Sequence, residues 1–77
     1  MKKIKINIYE KLRRQNNLTQ YEIAKILRVG QQTISRIERG ESLPSFNFLK
    51  QAHIKLGLDL NVAIRSSRKE FTWVEKE

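Results

Sequence analysis

The spacing of apolar residues changes twice along the chain, near residue 8 and again near residue 58. Ile4 and Ile6 alternate with Lys3 and Lys5, which is the period of a short strand. Ile4, Ile8 and Leu12 also suit one face of a helix, so this spacing leaves both readings open. Asn7 followed by Glu10 has the form of an N-cap with a capping-box partner. A helix is therefore expected from just after Asn7 to about Asn16, with Asn17 taking a left-handed turn. Thr19-Gln20-Tyr21-Glu22 is a second capping box, and it opens a helix to Leu27 that places Ile23, Ala24 and Leu27 on one face. After Arg28, Val29 and Gly30 a third helix spans 31–39, and Gly40 stops it. Ser45, after Pro44, caps a fourth helix whose apolar stripe is Phe46, Leu49, Ala52, His53 and Leu56. On this phase Phe46 and Leu49 are core, His53 packs partly buried, Phe48 lies at the stripe's edge and Ile54 lies off it. Gly57 ends that helix.

Beyond Gly57 the period drops to two. Leu58, Leu60, Val62 and Ile64 alternate with Asp59, Asn61, Ala63 and Arg65. Ser66 to Lys69 forms a polar turn, and Phe71 and Trp73 alternate with Thr72 and Val74. The pattern predicts a β-hairpin. Two strands alone are barely stable in water, so the hairpin must pair with something. The expected fold is mainly α: one domain over 1–77, with a four-helix core at 7–57, a C-terminal β-hairpin at 58–77 and a short N-terminal strand.

The second and third helices are short and joined by a three-residue turn. Such a pair can present its second helix to the major groove of DNA. The close crossing needs a small residue, and Ala24 supplies it. The turn needs one buried apolar residue, and Val29 supplies it. Ile34 and Ile37 form the inner face of the third helix. Gln31, Gln32, Ser35, Arg36 and Arg39 span about 140° of the opposite face at 100° per residue. Glutamine pairs in bidentate fashion with adenine and arginine with guanine, and serine bonds a base or a phosphate. The face has no acidic residue, whereas ordinary solvated faces mix signs. Gln31, Gln32, Ser35 and Arg36 are therefore assigned to bases.

Composition supports this direction. Sixteen Lys and Arg against eight Asp and Glu give a net charge of +8, which suits a polyanion. A 77-residue chain buries too little to be very stable and needs support. The absence of cysteine and the single histidine exclude disulfides and Cys or His-cluster metal sites, which leaves oligomerisation. No apolar run approaches the roughly 20 residues of a membrane span. The N-terminal segment lacks the apolar core of a signal peptide. A cytosolic protein with no cofactor is expected. No paired carboxylates, no nucleophile with a nearby base and no Gly-rich phosphate loop suggest an enzyme.

The stretch from Leu18 to Leu58 resembles the DNA-binding domain of phage Cro/C1-type repressors, the Xre family. L-T-Q opens the second helix, T-I-S-R-I-E-R-G runs across the third, P-S opens the fourth and L-G-L ends it. The resemblance covers roughly residues 8 to 58 and implies a lambda-repressor-like fold. It also implies roles by position. Gln20 would contact a phosphate at a helix N-terminus, itself an anion site. Gln31 and Gln32 would touch bases, with Arg36 one turn later. Arg13 and Glu38 would form a structural ion pair. Asn47 and Ser45 would approach the DNA backbone, although capping alone accounts for Ser45. Where the family usually has glycine this chain has Arg28, which either strains the turn or reaches a phosphate. Tyr21 either packs or donates to a phosphate. Arg39 completes the phosphate set, and Lys2, Lys3 and Lys5 either solubilise the chain or touch DNA.

One helix-turn-helix reads few base pairs, so a homodimer on duplex DNA is expected. Leu60, Val62, Ile64, Phe71 and Trp73 are its expected interface. A strand after the fourth helix also resembles HipB-type antitoxins, which implies a toxin protein as an alternative partner for the aromatic tail. Three functions follow: an operator-binding repressor, an autoregulating antitoxin, and a non-specific nucleoid protein.

Overall fold

A computed structural model describes residues 4–65 and 73–76. Strand β1 (Ile4–Asn7) leads directly into helix α1 (Ile8–Gln15), followed by α2 (Gln20–Leu27), α3 (Gln31–Glu38), α4 (Phe46–Leu56), α5 (Leu60–Arg65) and strand β2 (Trp73–Lys76). The fold is mainly helical. β1 and β2 pair antiparallel, with Ile6 opposite Val74 and Asn7 opposite Trp73.

Local chemistry explains where the helices begin. Thr19 and Glu22 close a reciprocal capping box at α2. Ser45 accepts from the Phe48 amide at α4. At α1 the Asn7 side chain accepts from Tyr9 N at 2.8 Å, rather than pairing with Glu10.

The ends of α1, α2 and α3 share one device. The amide of Leu18 bonds to Arg13 O, that of Val29 to Ala24 O, and that of Glu41 to Arg36 O. Each closure needs a left-handed residue one position earlier. Asn17 (φ 56), Arg28 (φ 58) and Gly40 (φ 76) fill those positions.

The core joins Ile8, Tyr9 and Leu12 of α1 to Ile23, Ala24 and Leu27 of α2, Ile34 and Ile37 of α3, Phe48 and Ala52 of α4, and Leu58 and Ala63. The Tyr9 and Phe48 rings meet edge to face, 5.9 Å apart at 82°. Lys55 Nζ donates to Ile26 O and ties α4 to α2.

Two expectations are corrected. The α4 stripe keeps Leu49, Ala52 and Leu56 but takes Phe48 in place of Phe46: Phe48 is 3% exposed and Phe46 81%. Phe46 is the first residue of its helix and projects past the core, whereas Phe48 and Ala52, one turn apart, face Tyr9 and α2. His53 is likewise exposed and bonds through Nδ1 to Leu58 O at 2.7 Å. The facing atom is a carbonyl, so Nδ1 carries the proton.

The second correction concerns the hairpin. Leu60, Val62 and Ile64 belong to α5, and Trp73 belongs to a strand paired with β1 of the same chain. Phe71 lies outside the described residues. Asp59 is the physical reason for the helix. Its carboxylate accepts from Asn61 N and its carbonyl from Ala63 N, both at 2.9 Å. A capped turn satisfies these backbone groups within the segment, whereas a strand there would need a partner. Ala63 is buried, and Leu60 and Val62 face solvent. Five helices are described rather than four. Among the described residues, no helix is long and apolar enough to cross a membrane.

Candidate nucleic-acid interface

Helix α3 is split cleanly along its length. Ile34 and Ile37 are each 2% exposed, while Gln31, Gln32, Thr33 and Arg36 are exposed and Ser35 is half-buried. Ala24 is buried where α2 packs beneath α3, and Val29 is half-buried in the turn. Thr33 was not singled out from the sequence, although its place between Gln32 and Ile34 on an exposed turn makes it available to a ligand. The Arg36 side chain makes no hydrogen bond or ion pair among the described residues, although its carbonyl accepts from Glu41 N.

Beneath this face lies a buried charge network. Arg13 Nε donates to Glu38 Oε2 at 2.8 Å and Nη2 to Oε1 at 3.0 Å, while Nη1 reaches Leu18 O. The Glu38 side chain is 4% exposed, so the bidentate pair with Arg13 offsets the cost of burying it. The hydrogen bond to Glu38 pushes the Arg13 pKa up. Gln20 Nε2 also donates to Glu38 Oε1, at 3.2 Å. The amide of Gln20 is thus held from below at the N-terminus of α2, with its carbonyl uncommitted among the described residues. A second anchor is Asn7, which is 0% exposed. Its Nδ2 donates to Ile37 O at 2.9 Å and fixes the end of α3 to the β1–α1 junction. Nothing in the sequence beyond a capping position marked that second bond.

The other assigned residues sit as follows. Tyr21 is 56% exposed, with Lys25 Nζ 4.9 Å from its ring centroid. Arg28 is exposed at the left-handed end of α2, and Asn47 is exposed on the first turn of α4. Arg39 is not extended toward solvent alone. Its Nε and Nη2 donate to Glu41, and its Nη1 donates to Ser35 Oγ. Sequence reading did not single out Glu41, because it follows the helix-ending Gly40. Arg39 holds the Glu41 carboxyl below the usual carboxylate range, with Arg36 adding to the effect. Among the described residues there is no group of His, Cys, Asp or Glu that could hold a metal ion.

Two short helices crossing at a buried alanine, the second showing an acid-free polar face, define a helix-turn-helix module of DNA-binding regulators. A family model described as helix-turn-helix matches residues 10–62, and the chain belongs to this Cro/C1-type (Xre) family. That family is one of DNA-binding regulatory domains rather than of enzymes. Comparison with curated proteins and with solved structures gives no match.

Proposed function

We propose that this protein is a sequence-specific duplex-DNA binder, acting as a dimeric repressor that occupies promoter DNA. The carrying observation is the division of α3 between a buried Ile34–Ile37 face and the exposed Gln31, Gln32 and Arg36. In this reading Gln31, Gln32, Ser35 and Arg36 contact base edges. Gln20, Tyr21, Arg28 and Asn47 contact phosphates and set the register. Arg13 and Glu38 hold the scaffold. Repression needs no catalytic group, because occupancy alone excludes competing proteins.

Dimerisation is supported by surface left without a partner. Among the described residues each strand of the β1–β2 pair has one open edge. Phe46, Ile54 and Leu60 are 81%, 63% and 40% exposed, and with Leu49 and Ala63 they line an apolar groove of about 320 Å³ between α4 and α5. The same groove favours the second reading, an antitoxin that binds a toxin protein and represses its own promoter. Co-purification of a second protein encoded beside it separates the two.

Selection of bound duplexes from a random pool tests the main reading. A preferred, palindromic site with half-sites about 34 Å apart is expected. Arg36→Ala should then weaken the preferred site by about 1–3 kcal/mol and relax one base position. A uniform loss on all sequences would remove Arg36 from base reading.

A further inference from the structure

A carboxylate stands just past the end of α3, and it is placed on a cation. Glu41 follows the end of α3 and engages Nε and Nη2 of Arg39, while the remaining Nη1 donates to Ser35 Oγ. All three residues belong to α3 or its closing turn. The guanidinium fork that fits a carboxylate is the same fork that fits a phosphate, so Glu41 and DNA compete for Arg39.

We propose that Glu41 is a specificity-determining residue: it withholds Arg39 from the DNA backbone and keeps it on Ser35. This rests on the base-reading role of α3 given above. Non-specific affinity comes almost wholly from cations that neutralise phosphates and release counterions. A cation already neutralised within the protein adds little to that term. The contacts of Gln31, Gln32 and Arg36 to base edges are untouched. The ratio between a preferred and an arbitrary sequence therefore rises. Ser35 gains as well. With Arg39 donating to its oxygen, its hydroxyl hydrogen is left to point away, so Ser35 acts as a donor toward a base acceptor.

The test uses the full chain with two duplexes: the preferred sequence from the random pool, and a scrambled one of equal composition. Binding is measured over a range of salt for the unaltered protein, Glu41→Gln and Asp59→Asn. Asp59→Asn removes the same charge outside the α2–α3 unit and keeps a good cap on α5. Glu41→Gln should tighten the scrambled duplex by about threefold or more beyond Asp59→Asn, with a salt slope steeper by about 0.9. Its gain on the preferred duplex should be smaller, so discrimination falls. Adding Arg39→Ala to Glu41→Gln should abolish the gain. Equal effects of Glu41→Gln and Asp59→Asn, or a gain that survives loss of Arg39, would overturn the role of Glu41 alone. An unaltered protein without preference for any duplex would overturn the base-reading proposal, and this one with it.

Discussion

Arg28 holds a backbone conformation that a side chain disfavours, at φ 58 and ψ 44. The left-handed region costs a non-glycine residue roughly 1 kcal/mol through contact of its Cβ with the carbonyl. Arg28→Gly should therefore stabilise the fold by about 1 kcal/mol in urea unfolding. The same substitution probes function. If the guanidinium meets a phosphate, affinity falls for every duplex and the salt slope flattens by about 0.9. An unchanged slope would leave the arginine without a role in binding. The exposed residues of α3 were legible in the sequence because Ile34 and Ile37 are its only apolar residues and leave a single possible buried face. The partners of those residues were not. Gln20 on Glu38, and Arg39 between Glu41 and Ser35, depend on side-chain rotamers and on loops that no spacing encodes.

Elements were legible where their ends have local chemistry. Thr19 with Glu22, Ser45, Gly40 and Gly57 each act within one turn, so the limits of α2, α3 and α4 follow from neighbouring residues. α5 was obscured because its apolar residues at even positions imitate a strand, while Asp59 capped a helix. The orientation of α4 depended on tertiary packing: a stripe through Phe46 and one through Phe48 both satisfy helical spacing. Their substitution separates the two. Phe48→Ala should cost about 3–5 kcal/mol, since it empties a filled site against Tyr9. Phe46→Ala, measured where the protein is monomeric, should stay within about 0.5 kcal/mol, as for other exposed positions. Thermal melts of both variants check this, and similar losses would mean that Phe46 is packed after all.

At the scale of the whole molecule the five described helices share one core, and Tyr9 stands in it at 3% exposure. Burial pushes its hydroxyl pKa from 10.0 up to about 12. The folded state favours the neutral phenol, so this contribution is full below pH 10 and is lost as the pH rises toward 12. The loss amounts to at most about 3 kcal/mol. Urea midpoints should fall across that window, and less so in Tyr9→Phe. Equal falls in both proteins would assign the alkaline loss to other groups. A chain this short buries little surface, so in the proposed dimer the exposed Phe46, Ile54 and Leu60 would add to assembly rather than to folding alone.

Asn7 uses its amide twice, once as acceptor and once as donor, with no exposed surface of its own. Leucine has a similar volume but can do neither, and aspartate would set a second oxygen against the Ile37 carbonyl. Positions 31, 32 and 36 carry no comparable duty toward the scaffold. Under the base-reading proposal, exchange of Gln31, Gln32 and Arg36 would change the target sequence at little cost to the fold, whereas loss of Asn7 would cost two buried hydrogen bonds. Evolvability and constraint are assigned to different places in the same small chain.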